Sequence, residues 1–258
     1  MELTAVNDRG EIEIAIINDM FGCEEYHLQN KEVQEAIKSY FGDNYDYAKS
    51  IYVEFKKKGR AEVERHFIND NTLARINSIS AKVLKEYDKY KEKVEYEVNR
   101  LFGIDLPKKL NLVIILIQRQ DFLSDGGSYD MGVITLRILN GVDLEKEMPK
   151  IIDVLIHEIL HAALDNSGIK NKLSLAQNEA LVKYFAPQGI LSHLVGLIKN
   201  LDLDELYKHG CMSLRNSDDL SEFKKLFPYI KDYYAQLSYG KQNIFDYLAD
   251  KINFNNKA

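Results

Sequence analysis

The most constraining feature of the chain is a row of four ionisable residues in an otherwise apolar segment. Asp153, His157, His161 and Asp165 follow one another at intervals of four residues. Because four residues make about one helical turn, this spacing predicts a polar stripe along a buried helix. Burying such groups costs on the order of several kcal/mol unless each is paired, hydrogen-bonded or bound to a metal. The segment therefore predicts either a metal site or a pair of core histidines held by carboxylates.

The same segment contains the pattern His157-Glu158-Ile159-Leu160-His161. On a helix, the two imidazoles share one face and can chelate one ion, while the glutamate points at the open side of that ion. A catalytic zinc site also needs a third protein ligand. Leu164 and Ser167 stand where the metzincin continuation of this motif needs glycine and histidine, which excludes that continuation.

Glu179 is the third ligand that we predict. It lies in a helical segment that begins after Ser174 with the pattern of a capping box. The stretch between His161 and Glu179 is long enough for a helix end, a turn and the return of an antiparallel helix. Asp165 is the alternative ligand, but it lies one turn beyond His161 on the same helix. We therefore expect Asp165, together with Asp153, to support the ligands rather than bind the ion.

The two motifs together resemble a known family. His157-Glu158-x-x-His161 followed by Asn178-Glu179-Ala180-Leu181-Val182-Lys183-Tyr184 is similar to the gluzincin metallopeptidases, in particular to the alanyl-aminopeptidase and leukotriene A4 hydrolase branch. Ala180 stands where that branch has glycine. The resemblance implies a zincin-like domain in which Zn²⁺ is held by two histidines and a glutamate. It also implies that Glu158 is the general base.

The resemblance further implies a tyrosine whose hydroxyl stabilises the oxyanion of the reaction. Tyr239, followed by glycine and lysine, resembles the start of the helix that carries this tyrosine in the family. Tyr233 and Tyr234 are the alternatives. The family's aminopeptidases also grip a free amine with a Gly-x-Met-Glu-Asn strand, of which residues 127–132 keep little. Aminopeptidase specificity therefore stays open, with Asp130 as the acid that would meet an amine.

The region before the motifs combines strand and helix patterns. Residues 11–17 alternate in polarity, and a turn separates them from a short apolar run over residues 3–6, which together predict a hairpin. Helical spacing follows over about 30–41 and 45–58, and residues 72–102 have the pattern of one long helix with a charged face.

The motif region itself predicts a small sheet followed by helices. Residues 110–117 have the composition of a buried strand, and residues 131–138 follow as a second strand. We expect 132–136 to be an edge to which an extended peptide adds by main-chain hydrogen bonds. The fold class is therefore α+β: a zincin-like metallopeptidase domain over 71–258, with a small mixed sheet, a long helix, an active-site helix and a helical C-terminal lobe. An N-terminal α+β extension precedes it over 1–70.

Composition narrows the classes of partner. The chain has 258 residues, with 34 Lys+Arg against 40 Asp+Glu and a formal net charge of -6, which argues against a nucleic-acid binder. Cys23 and Cys211 do not make a disulfide framework. No stretch is apolar enough to span a membrane, and the start of the chain lacks the pattern of a targeting segment. We expect a cytoplasmic protein, and the sequence does not indicate its oligomeric state.

These observations favour a zinc-dependent peptidase that acts on a peptide or protein substrate. One alternative is a degenerate zincin that keeps the metal and serves as a binding or regulatory protein. The other is a zinc hydrolase of a non-peptide amide or ester, which uses the same ligands and base.

Overall fold

The computed structural model describes residues 1–26, 31–118, 126–214, 216–236, 242–249 and 251. Within these residues the protein is α+β, mostly helical with one small mixed sheet, which agrees with the α+β part of the predicted class, whereas the zincin-like fold stays a prediction. The strands are β1 (Glu2–Ala5), β2 (Lys109–Ile117), β3 (Gly127–Asp130) and β4 (Val133–Leu139). The α-helices are α1 (Arg9–Tyr26), α2 (Lys31–Phe41), α3 (Tyr45–Lys58), α4 (Asp70–Tyr87), α5 (Lys91–Phe102), α6 (Leu144–Asn166), α7 (Leu175–Lys183), α8 (Leu203–Ser213), α9 (Ser217–Gln236) and α10 (Ile244–Ala249), with 3₁₀ turns at Gly42–Asn44, Ile169–Lys172 and Ile190–Val195.

The chain forms two compact units. The sheet unit comprises Glu2–Lys85 and Lys109–Glu147, and the helical unit comprises Met1, Glu86–Lys108 and Met148–Ala258. The predicted division into 1–70 and 71–258 stays a prediction. No helix in the described part of the chain is both long and apolar enough to cross a bilayer.

The sheet of the first unit has the order β1-β2-β4-β3. Strand β2 pairs in parallel with both β1 and β4, and β3 pairs antiparallel with β4. The prediction that 132–136 is an edge is therefore wrong, because β4 has a partner on each side. The missed partner, β3, is only four residues long and turns into β4 through Met131 and Gly132, whose φ angles are 45° and 83°. This short strand is too brief for an alternating pattern to reveal it.

The predicted hairpin over 3–6 and 11–17 is also wrong. Residues 11–17 lie inside α1, and β1 pairs in parallel with β2 instead. The apolar residues Ile12, Ile16 and Met20 are fully buried at the helical spacing of four. The period of two at the start of this segment was misleading because Glu13, one of its polar positions, is buried as well.

Glu13 is buried because its carboxylate organises a neighbouring loop. One oxygen accepts hydrogen bonds from the backbone N–H groups of Phe67 and Ile68, both at 2.8 Å, and the other lies 2.8 Å from Nδ1 of His66. A buried carboxylate with three donors retains most of the interactions that it had with water. A polar residue at a core position therefore broke the expected pattern without destabilising the helix.

The other helical predictions differ mainly in one break. Helices α2 and α3 confirm the patterns over 30–41 and 45–58. The single long helix predicted over 72–102 is wrong, because three turn residues divide it into α4 and α5. Tyr87 and Tyr90 bracket this turn, and the N–H of Tyr90 donates to the Tyr87 carbonyl oxygen over 2.8 Å. Buried residues lie on both sides of the break, so the apolar stripe continued through it.

In the helical unit, α6 provides the frame for the site. Nearly all of its side chains from Ile152 to Leu164 are buried, as the apolar segment predicted. The helix ends at Asn166, and Gly168 follows with a φ of 73°. This reversal leads to α7, whose neighbour α9 covers it with the ring of Phe223 stacked on Tyr184 at 4.0 Å between centroids.

Candidate metal centre

Helix α6 places two histidines one turn apart on the same face. The Nε2 atoms of His157 and His161 lie 3.0 Å from each other, and the ring centroids are 4.6 Å apart. Both side chains are largely buried, with exposed fractions of 10% and 17%. The spacing of four therefore produces the convergence that the sequence predicted.

Helix α7 brings the third predicted ligand to the same point. Its N-terminus is fixed by the capping box expected from the sequence, in which Ser174 and Gln177 exchange hydrogen bonds. The carboxylate of Glu179 then reaches both histidines. Its Oε1 lies 3.5 Å from Nε2 of His157, and its Oε2 lies 3.2 Å from Nε2 of His161.

The outer nitrogen of each ring is held by a carbonyl oxygen. Nδ1 of His157 lies 2.7 Å from the backbone oxygen of Ala186, and Nδ1 of His161 lies 2.9 Å from Oδ1 of Asn178. Because a carbonyl oxygen only accepts, both Nδ1 atoms carry a proton. In the neutral tautomer the lone pair of each ring is therefore on Nε2, facing the other ring and Glu179.

Three electron-rich groups thus converge on one point. Two Nε2 lone pairs and one carboxylate repel each other unless a positive charge lies between them. A tetrahedral zinc ion, with ligand bonds of about 2.0–2.1 Å, separates its ligand atoms by about 3.3 Å. The distances of 3.0, 3.2 and 3.5 Å among His157, His161 and Glu179 are close to that value. The donor set fits a metal ion of this size.

Glu158 joins the two histidines in this cluster. A ligand atom from each of His157, Glu158 and His161 lies within 4.8 Å of the others. Glu158 is only 4% exposed and lies in the same buried part of α6. The predicted base is therefore placed beside the predicted ligands.

The electrostatics of the site favour a cation. Burial lowers the pKa of His157, but the Glu179 carboxylate, with smaller contributions from Glu158 and Ala186, raises it to about 9. Burial also raises the pKa of Glu179, yet the His157 and His161 imidazoles hold it well below its usual range. Both shifts favour a positive charge between these groups, and a metal ion that bound here would have to displace the proton on His157.

The two outer acids of the polar stripe differ from one another. Asp153 is 1% exposed, and its carboxylate accepts from the backbone N–H of Gln188 at 2.7 Å and from Oγ of Ser192 at 2.6 Å. Burial raises the pKa of Asp153 despite these donors. Asp165 is exposed, whereas the Glu179 carboxylate lies 3.5 Å from Nε2 of His157 and 3.2 Å from Nε2 of His161. The geometry thus favours Glu179 over Asp165 as the third ligand.

The predicted oxyanion tyrosine, Tyr239, lies outside the described residues. Of its alternatives, Tyr233 is buried, and its hydroxyl lies 3.2 Å from the backbone oxygen of Leu101 and 3.1 Å from that of Gln242. Burial raises the pKa of Tyr234, and the charge of Arg100 offsets part of this rise. Both tyrosines therefore stay predictions as oxyanion donors, and so does the proposed role of Asp130, an exposed residue in β3 of the sheet unit.

Sequence reasoning missed the groups that orient the histidines. Asn178 was visible beside Glu179 in the motif, but no role had been predicted for it. The carbonyl of Ala186 left no signal, because a main-chain atom is present whatever the residue. Lys183 was equally unexpected: burial lowers its pKa despite the charges of Glu179 and Asp153, and its Nζ donates to the backbone oxygen of Pro187 at 3.2 Å.

Comparison of the chain with protein-family models, with curated proteins and with solved structures returned no match in any of the three.

Proposed function

We propose that the protein is a zinc-dependent peptidase with a zincin-like catalytic arrangement, acting on peptides or a protein in the cytoplasm. One observation carries the proposal: the Nε2 atoms of His157 and His161 and the carboxylate of Glu179 converge within 3.0–3.5 Å of each other in a largely buried site. Metal binding removes the repulsion among these groups. The resemblance of the two motifs to gluzincin metallopeptidases supports zinc among the metals that such a donor set accepts.

The ligands and their supports have distinct tasks. A bound zinc ion would act as a Lewis acid that polarises a scissile carbonyl, and it would lower the pKa of a water bound to it towards neutrality. His157, His161 and Glu179 hold the ion, and the oxygens of Ala186 and Asn178 keep the two rings in the tautomer that binds it. The chain thereby fixes the ligand geometry before any metal arrives.

Glu158 performs the proton transfers. Its carboxylate lies next to the ligands, so it takes a proton from the attacking water and passes that proton to the leaving amine. This step breaks the O–H bond of the water and forms the N–H bond of the product. Since a degenerate, purely binding zincin has no need of a base, the presence of Glu158 favours an enzyme.

Replacing Glu158 with Gln tests the mechanism. We expect Glu158→Gln to keep one zinc per chain but to lower cleavage of a peptide library by about 10²- to 10⁴-fold, because the amide does not accept the proton. Glu145→Gln, at an exposed position in the first turn of the same helix, is the matched control and should cleave like the wild type. Elemental analysis measures the zinc, and mass spectrometry of the digest measures cleavage.

The outcomes separate the alternatives. Equal cleavage by the wild type and Glu158→Gln contradicts the proposed mechanism. Absence of zinc from the wild type after incubation with zinc contradicts the metal site. Zinc binding without peptide cleavage, but with hydrolysis of simple amides or esters that Glu158→Gln abolishes, shows a hydrolase of non-peptide substrates.

A further inference from the structure

The segment that orients His157 is itself unusually well anchored. Residues 184–192, here called the support loop, join the end of α7 to the 3₁₀ turn Ile190–Val195. The loop closes on itself through two backbone hydrogen bonds, from Ile190 N–H to the Tyr184 oxygen at 2.9 Å and from Leu191 N–H to the Phe185 oxygen at 2.7 Å. The Ala186 oxygen that receives the His157 proton lies inside this closed segment.

Asp153 fastens the support loop to α6. Its carboxylate, one turn before His157, accepts the N–H of Gln188 at 2.7 Å and the hydroxyl of Ser192 at 2.6 Å. The Ser192 oxygen in turn accepts the N–H of Gly189 at 2.8 Å. One buried carboxylate thus holds the loop at Gln188 and Ser192 directly, and at Gly189 through Ser192.

The conformation of the loop depends on this anchor. Gln188 is an ordinary residue with a φ of 56°, in the region that favours glycine. At Gly189, a Cβ atom would lie 2.4 Å from the carbonyl carbon of Phe185, so that no other residue fits without a backbone shift. Residues in such conformations persist where surrounding contacts hold them, and Asp153 supplies two of those contacts.

We propose that Asp153 is a positioning residue that maintains the metal affinity of His157 by fixing the support loop, and with it the Ala186 oxygen. The inference rests on the proposed function, because it requires a metal at His157. The carboxylate acts through the backbone of the loop, and His157 itself is held by Ala186. Lys183 also donates a hydrogen bond to this loop, at the Pro187 oxygen.

The chemical consequence concerns the tautomer of His157. While the Ala186 oxygen stays in place, Nδ1 keeps its proton and Nε2 offers its lone pair to the metal. If the loop relaxes, Nδ1 loses its acceptor, and the ring gains freedom to rotate or to place its proton on Nε2. Both changes reduce the fraction of protein that is ready to bind a metal, so that the observed dissociation constant rises.

The test measures zinc affinity by competition with a chromophoric chelator, in the full chain. We expect Asp153→Asn to weaken zinc binding by about 10- to 100-fold, the range typical of changes to groups that orient metal ligands. Ser192→Ala removes one of the two anchors and should weaken binding by about 2- to 10-fold. Ile152→Val, a conservative change at the neighbouring buried position of α6, is the matched control and should leave zinc affinity unchanged while lowering stability.

A second measurement reports on the hydrogen bond itself. In the zinc-loaded wild type, proton–nitrogen correlation spectra of the imidazoles should show the Nδ1 proton of His157 protected from exchange with water. We expect that proton to exchange faster in Asp153→Asn and Ser192→Ala, and to stay protected in Ile152→Val. A general loss of stability does not account for this pattern, because the Ile152→Val control also loses stability and yet keeps the proton protected.

If Asp153→Asn and Ser192→Ala both keep the zinc affinity and the proton exchange of the wild type, the inference is overturned. The proposed function then still stands. If Asp153→Asn does not fold, Ser192→Ala decides alone by the same criterion. A wild type that binds no zinc overturns the proposed function and, with it, this inference.

Discussion

Two buried polar clusters, one from each unit of the protein, are opposite in their balance of donors and acceptors. In the sheet unit, the carboxylate of Asp19 is surrounded by donors: Oγ of Ser128 at 2.7 Å, Oγ1 of Thr135 at 2.9 Å and the guanidinium of Arg137 at 3.0 Å. In the helical unit, the carboxylate of Glu179 faces two imidazole nitrogens whose protons are on the far side of each ring.

This is the difference that we expect between a structural cluster and a binding site. The charge of Asp19 is neutralised by Arg137, a residue of the same sheet, so the cluster is complete within the chain. The Glu179 carboxylate faces two imidazoles rather than a guanidinium, so a proton or a metal ion supplies the positive charge between them. Burial alone does not distinguish the two clusters. The number of donor protons directed at the carboxylate does.

The largest effect is expected in the complete cluster. Asp19→Ala removes the buried carboxylate that Arg137, Ser128 and Thr135 share, which should lower the free energy of unfolding by about 3–5 kcal/mol. Zinc should not restore this loss. Glu25→Ala on the same helix removes a half-exposed acid paired with Lys56 at 3.5 Å, and should change stability by about 0.5 kcal/mol or less. Urea denaturation measures both, and equal losses in the two variants would show that the Asp19 cluster is not structural.

An intermediate effect is expected from adding the missing cation. Zinc at about 100 times its dissociation constant should stabilise the wild type by about 2.7 kcal/mol, because only the folded protein presents the ligands together. His161→Ala should show no such gain. Asp19→Ala should show the full gain, although its free energy of unfolding without zinc is lower. Denaturation with and without zinc checks this, and a zinc gain in His161→Ala would place the metal elsewhere.

Over any single pH unit, the smallest effect is expected from the proton that competes with the metal. The pKa of His157 in the folded, metal-free protein is about 9, above its ordinary value of 6.5. The stabilisation from its protonation is therefore fully present below pH 6.5 and is lost as the pH rises through 9. The loss should not exceed about 1.4 kcal/mol for each pH unit in this window.

This pH dependence has its own controls. Denaturation of the metal-free protein should show the loss between pH 6.5 and 9, and His157→Asn should lack it. Saturating zinc should remove it from the wild type, because the proton has already been displaced. The same slope in His157→Asn would assign the titration to another group.

Sequence-based prediction worked best where the deciding residues are close together in the chain. His157, Glu158 and His161 lie within one turn of a helix, and the capping box that starts α7 spans four residues, so local patterns were sufficient for both. The arrival of Glu179 beside the histidines was a longer inference, and it succeeded because one tight reversal joins the two helices.

The failures arose where distant residues decided the outcome. The helix at residues 11–17 is stabilised by contacts of Glu13 with a loop more than fifty positions away in the chain, which no local period contains. The Asp19 cluster joins residues separated by 109 to 118 positions. A signal was nevertheless present, since Asp19 stands among the apolar residues Ile17, Met20 and Phe21 and had to be paired if that segment was buried.

The support loop shows how a site can be hidden from comparisons between sequences. Two of the atoms that hold it and His157 in place, the Ala186 oxygen and the Gln188 N–H, belong to the peptide backbone, which every residue provides. At position 188 the side chain is exposed, so many substitutions would preserve the support; at position 189 only glycine does so. Two proteins could therefore share this arrangement of imidazoles and carboxylate while their sequences agree at little more than His157, His161, Glu179 and one glycine.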